Sequence, residues 1–214
     1  LDMLGLAQKG GGVYAQLRLG RPGDAVPSPR IGAAQADAVI AADLIGAHGR
    51  VARPMLGART RVMANADLAS TGAFVLNPES RNDAGAMLAS LRATGAAVTA
   101  LPAARLVEEG FGDLIFLNVF LLGAAWQAGM LPLGREALRR AITLNGAQVE
   151  RNLAAFEAGR AAQPAESAVP EAVDAMLARL SADLAAYQSR RYAARFDALL
   201  ARLRGATADE ALLR

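Results

Sequence analysis

The spacing of apolar and polar positions changes character at Pro102. Before it, short β-like runs alternate with helical stretches. Tyr14 to Leu19 alternates as a half-buried strand does. Ala36 to Ala41 reads as a short buried strand, Thr60 to Asn65 as another, and Ala97 to Ala100 as a weaker last one. A helix is expected from about Asp43, ending near Pro54, because proline removes a backbone donor and collides with the preceding turn. A second helix spans Asp83 to Thr94, with Met87, Leu88 and Leu91 on one face. Arg21-Pro22-Gly23 and Pro27-Ser28-Pro29 mark an irregular loop. Strands that alternate with helices over this distance predict an α/β layer with mostly parallel pairing.

After Pro102 the pattern is wholly helical. Ala103 to Glu109 predicts a short helix closed by Gly110. Residues 113–129 are apolar on nearly every side, the mark of a helix covered all round, and Gly123-Ala124-Ala125 lets another backbone approach closely. Asn118 interrupts that run, so a buried amide tied to a neighbouring loop is expected. Trp126 reads as an anchor at the core edge. Arg135 to Leu144 forms the next helix, stopped by Asn145-Gly146, and a further one runs to about Ala162. Residues 163–170 are poor in apolar side chains and read as a linker. Two amphipathic helices follow, one carrying Val173, Met176, Leu177, Leu180, Leu184 and Tyr187, the other Tyr192, Phe196, Leu199 and Leu203. The division expected is therefore an α/β domain over 1–162, a linker over 163–170 and a helical extension over 171–214.

Composition narrows the chemistry. The chain has no cysteine, which excludes disulfides, thiolate nucleophiles and cysteine-held zinc or iron–sulfur centres. His48 is the only histidine, so a two-histidine metal site is excluded, and its setting between glycines predicts a surface or turn role. The net charge is only +3 and the arginines are dispersed, without the basic stripe and stacking aromatics of a nucleic-acid surface. The longest apolar run, Leu114 to Trp126, is too short for a bilayer span of about 20 residues. No charged leader opens the chain, so a cytoplasmic location is expected. Leu1-Asp2 opens in mid-pattern, which predicts a segment of something longer.

Of the 23 lysines and arginines, Lys9 alone is lysine, and Gly10-Gly11-Gly12 follow it. Glycines permit positive φ and close approach of a backbone or a ligand. The simpler reading is a tight turn with Lys9 solvated. A dinucleotide fingerprint needs a strand before the glycines and a helix after them, and here a strand follows. A Walker loop needs Gly-Lys-Ser/Thr leading into a helix. A phosphate held against the glycine amides, with Lys9 as counter-charge, stays open. Glu108-Glu109 and Asp113 fit cap and solvent-face roles better than a catalytic pair of carboxylates.

Several segments together resemble a known family. Leu1-Asp2-Met3-Leu4-Gly5-Leu6-Ala7-Gln8-Lys9-Gly10-Gly11-Gly12-Val13, with Gln16-Leu17-Arg18-Leu19 after it, is similar to a stretch of the gamma-type domain of indolepyruvate:ferredoxin oxidoreductases, members of the pyruvate/2-oxoacid:ferredoxin oxidoreductase family. Asn118 to Gln127 with Gly129 and Pro132-Leu133 resembles the family's apolar helix. Ala141-Ile142-Thr143-Leu144-Asn145-Gly146, Val149-Glu150, Asn152, Ala155-Phe156 and Gly159-Arg160 match its next segment, and Ala186-Tyr187-Gln188, Tyr192-Ala193 and Arg195-Phe196 resemble the region beyond. The match is poor from Pro22 to Phe111.

The resemblance implies an α/β gamma domain with a mostly parallel sheet flanked by helices, lacking its first strand–helix unit and carrying a helical C-terminal extension. It implies oxidative decarboxylation of an aryl 2-oxoacid by a parent enzyme that uses thiamine diphosphate, magnesium, iron–sulfur clusters and coenzyme A. None of these cofactors is expected on this segment. Its implied partners are other domains or subunits of the same oxidoreductase, with ferredoxin for the whole enzyme, and a homo-oligomer is expected. No nucleic acid or membrane is implied. Lys9, Gly10 and Gly11 are the candidate contacts for an anionic group or coenzyme A, and no catalytic residue or metal ligand is assigned.

Overall fold

The structure is a computed structural model that describes residues 1–4, 12–20, 23–26, 28–68, 83–162, 173–187 and 189–206. The chain divides into two compact units, Leu1–Ala165 and Glu166–Arg214.

The first unit is a layered α/β structure. Strands β3 (Ala38–Ala41), β4 (Arg61–Asn65) and β5 (Ala97–Leu101) form a parallel sheet in the order β3-β4-β5. Ala38 to Ala41 align with Arg61 to Ala64, and Arg61 to Asn65 with Ala97 to Leu101. β4 is covered on both faces, and its side chains part by the two-residue period of a strand. Val62 and Ala64 join Leu44, Ala47, Leu88 and Leu91 on one face, from helices α1 (Leu44–His48) and α2 (Ala84–Arg92). Met63 joins the opposite cluster with Val107 of α3 (Ala103–Phe111), Phe120, Leu121, Ala124 and Ala125 of α4 (Leu117–Gln127), and Ala155 of α6 (Val149–Ala161). Helix α5 (Arg135–Asn145) closes a third cluster, Leu138 and Ile142 against Phe156. Thr60 is fully buried ahead of β4, its Oγ1 donating to Ala36 O at 2.7 Å and accepting from Gly57 N at 2.9 Å.

The α/β fold with a parallel sheet and helical extension is therefore as expected, and several boundaries differ for local reasons. The helix expected from Asp43 to Pro54 stops at His48. Asp43 caps its start through Ile45 N and Gly46 N, Gly49 ends it in extended backbone, and Pro54 sits in a separate 3-10 turn, Arg53–Met55. Helix α3 runs through Gly110 and ends at Gly112, whose φ of 69° is the left-handed conformation glycine adopts without strain. The apolar stretch begins as a 3-10 turn, Leu114–Phe116, capped by Asp113.

A further strand, β1 (Asp2–Leu4), precedes the glycine cluster and pairs antiparallel with β2 (Tyr14–Gln16), with Asp2 opposite Gln16 and Leu4 opposite Tyr14. β2 ends at Gln16 rather than Leu19, because the ladder ends at that pair and both Leu17 and Leu19 are exposed. The glycines therefore lie in the connection between two antiparallel strands, which again excludes a strand–turn–helix nucleotide loop.

The second unit contains α7 (Val173–Tyr187) and α8 (Arg190–Ala206), packed together with an ion pair between Arg204 and Asp174. Leu177 and Ala193 are buried. On the last helix Tyr192, Leu199 and Leu203 are exposed, Phe196 is half-buried, and the small Ala193 takes the buried position.

Candidate functional site

Lys9, Gly10 and Gly11 lie outside the described residues, and their flanks are placed. At Gly12 a Cβ would come within about 3.1 Å of the Tyr14 ring and hydroxyl, and that hydroxyl donates to Gly46 O at 3.4 Å. Gln16 is buried, its Oε1 accepting from Ile31 N at 2.7 Å, and Arg30 pairs with Asp2 at 3.3 Å. These contacts hold the ribbon that flanks the glycine cluster against α1 and the segment leading into β3.

The carboxyl edge of the sheet is where open α/β folds place ligands. Here one side chain organises it. Asn65, the last residue of β4, is buried, and its Oδ1 accepts from Ala103 N and Ala104 N at 3.1 Å each. Its Nδ2 donates to Ala42 O at 3.3 Å and to Asp67 O at 3.0 Å. Asp67 Oδ2 takes Arg105 N at 2.9 Å. Helix α3 has Pro102 at its cap position, with no capping side chain of its own, so the β4 edge satisfies three of its first-turn donors.

His48 shares a hydrogen bond with Ser90 Oγ at 3.2 Å, which joins α1 to α2. Among the described residues no carboxylate is hydrogen-bonded to the imidazole, so the pair there lacks the third member of a nucleophile–base–acid relay. Glu108 and Glu109 are exposed, and Asp113 accepts from Ile115 N as a cap. Asn118 differs from the expectation. It is exposed in the first turn of α4, at the border between the buried face of Phe120, Leu121, Ala124 and Ala125 and the side that carries Val119 and Leu122. There it lines a groove of about 450 Å³ with Val119, Leu122, Leu138, Ile142 and Gln148. Ile115, which also lines it, is 62% exposed.

A charged cluster occupies the α5–α6 face. Glu157 Oε1 accepts from Arg135 Nη2 at 2.9 Å and Arg139 Nη1 at 2.8 Å, and Oε2 accepts from Arg160. Arg160 also donates to Gln127 Oε1 at 3.2 Å, and its guanidinium stacks 5.0 Å above the Trp126 ring. Trp126 is half-buried, donating to Leu133 O at 2.7 Å and packing on Phe156, an anchor at the core edge as expected. Burial pushes the Glu157 carboxyl up, but hydrogen bonds from Arg135, Arg160 and Arg139 outweigh it and hold the carboxyl at about 2, against 4.5. The native carboxylate thus releases its proton more readily than the unfolded one. Its contribution to stability is complete above pH 4.5 and is lost as pH falls toward about 2. Denaturant midpoints measured across that range are expected to fall more steeply with acidification in the natural chain than in Glu157→Gln. Parallel curves would count against the cluster.

Residues 2–162 match the family described as Pyruvate ferredoxin/flavodoxin oxidoreductase. The chain belongs to this family. No curated protein and no solved structure matches it. For a member of this oxidoreductase family, the fit of metal-bound cofactors is decided by donors. The chain has no cysteine, and among the described residues no three of His, Asp and Glu come together in a way that holds a metal ion. The iron–sulfur clusters and magnesium implied by the resemblance do not fit the described part of this chain. Nor does any helix among the described residues have the length and apolarity to cross a membrane.

Two features were missed in the sequence, Asn65 and the Glu157 cluster. The Arg135/Arg139 and Glu157/Arg160 spacings place each pair on one helix face, a signal present in the sequence. That the two faces meet depends on how α5 packs on α6.

Proposed function

We propose that this chain serves as the gamma-type domain of a 2-oxoacid:ferredoxin oxidoreductase that converts an aryl 2-oxoacid such as indolepyruvate to its acyl-coenzyme A derivative and reduces ferredoxin. Its own part is to pack against the catalytic domains and shape the cleft for the acyl acceptor. Thiamine diphosphate and the clusters, carried on other domains or subunits, supply the decarboxylation and electron-transfer chemistry. The observation that carries this reading is the groove lined by α4, α5 and the start of α6 in a chain of this family. It is apolar at its centre and carries Asn118, Asn145, Gln148 and Asn152 along its length without a charged residue. Carboxamides both donate and accept, which suits the backbone of a packed neighbouring domain. Lys9, with Gly10 and Gly11, is proposed to meet an anionic group of the acceptor. Its support is the survival of a single lysine beside three glycines.

The test uses the assembled enzyme and follows ferredoxin reduction with indolepyruvate, pyruvate and other 2-oxoacids. Indolepyruvate is expected to give the highest kcat/KM, and Lys9→Ala to raise the KM for coenzyme A by about tenfold, the loss of one charge-assisted contact, with kcat retained. Preference for pyruvate would overturn the substrate. Unchanged coenzyme A dependence would overturn the role of Lys9.

A further inference from the structure

We propose that Arg135, Arg139 and Arg160 form a binding site for a phosphate group of a small ligand, with Glu157 as the internal clamp that pre-sets the three guanidiniums. The site stands on the charge and geometry of the first unit and does not depend on the role proposed above.

Holding α5 to α6 requires one arginine on one carboxylate, and here three converge on Glu157. The cluster therefore carries a surplus of two positive charges. Glu136 on α5 and Glu150 on α6 form no ion pair with these arginines among the described residues, so the surplus is not cancelled by the other acids of those helices. Three like charges held together repel one another unless a second anion offsets them. A phosphate ester at neutral pH carries between one and a half and two negative charges, and so matches the surplus.

The donors also have the right form. Each guanidinium presents five N–H groups in a rigid fork. Glu157 takes two nitrogens of Arg135, one of Arg139 and one of Arg160, and Gln127 takes one more of Arg160. The remaining N–H groups of all three forks are uncommitted among the described residues. They are reachable as well, since the side chains of Arg135, Arg139 and Arg160 are 42%, 33% and 23% exposed. Arg160 is fixed by Trp126 beneath it and Gln127 beside it, and Arg135 and Arg139 stand one helical turn apart on the same carboxylate oxygen. Guanidiniums already ordered in this way lose little side-chain entropy when an oxyanion arrives, which is the condition for forked recognition of phosphate.

Trp126, the only tryptophan of the chain, lies under Arg160 and reports on the site. The 214-residue chain is titrated with inorganic pyrophosphate at constant ionic strength while tryptophan fluorescence is followed. A saturable change is expected. Arg139→Gln is expected to raise the half-saturation concentration by about tenfold, the effect of one charge-assisted contact. Arg140→Gln, which removes the same charge from the neighbouring exposed position, is expected to leave it unchanged. No saturable change overturns the proposal, and so does an Arg140→Gln effect equal to that of Arg139→Gln, since the response would then follow net charge alone. If Arg139→Gln does not fold, the melting temperature of the natural chain decides. A rise with pyrophosphate above that in sodium chloride of equal ionic strength supports the site, and equal melting overturns it.

Discussion

Gly159→Ala is expected to destabilise the first unit by about 3 kcal/mol or more, at the upper end of what overpacking costs. Helices α4 and α6 cross with their backbones nearly touching, and the contact is reciprocal. A Cβ on Gly159 would collide with the Phe120 carbonyl oxygen and lie 2.7 Å from its carbon. One on Gly123 would collide with the Phe156 carbonyl oxygen and lie 2.9 Å from its carbon. In both cases the obstacle is helix backbone, which cannot rotate aside as a side chain can. The helices would have to separate, and Phe120, Phe156, Ala124 and Ala155, all buried near this crossing, would lose their close packing. The contrast is Gly110→Ala in α3, where an added Cβ meets nothing within 4 Å. Alanine there is expected to be stabilising by about 0.5–1 kcal/mol, the helix-interior difference between the two residues. Denaturant unfolding of the two variants checks the pair. A Gly159→Ala variant as stable as the natural chain would show that the crossing is looser than described.

Asn65→Leu is expected to cost about 3 kcal/mol, and Asn65→Asp about half as much. Leucine fills the volume but leaves Ala103 N and Ala104 N without their acceptor and Ala42 O without its donor, and the first of these bonds is buried. Aspartate keeps the acceptor and adds a negative charge at the start of α3, which the helix dipole favours. It also sets a carboxylate against the Ala42 and Asp67 carbonyl oxygens, where the amide now donates. Thermal unfolding ranks the three chains, and a leucine variant more stable than the aspartate variant would remove Asn65 from its capping role.

Both residues bear on how the carboxyl edge of the sheet is held. Asn65 connects β4, α3 and the chain after β3, so its loss loosens all three at once. The groove is built on the same frame, since α4 lies on the sheet below it and is fixed to α6 by the glycine crossing. A variant that spreads α4 from α6 is therefore expected to change the groove as well as the core.

Much of this architecture was legible in the linear order of residues. The strands at 38–41, 61–65 and 97–101, the helix started by Asp83 and the stop at Gly146 follow from period, cap and breaker, each acting within a few residues of itself. The close approach at Gly123 was legible too, because a glycine among alanines in an apolar helix has few other uses. Asn118 shows the limit. An amide in an all-apolar stretch reads as buried, yet every side of that helix is apolar enough to face inward, and nothing local says which one does.

The sequence, then, was sufficient for the kind and order of the elements and, through motifs spread along it, for the family. Those properties are encoded within single turns and strands. The pairing of β1 with β2, the service of Asn65 to a helix 38 residues away, and the meeting of Arg135 and Arg139 with Glu157 were settled by the folded chain. Each joins segments whose spacing along the chain carries no trace of the contact, and each arises only when burial of the apolar faces sets which surfaces come together.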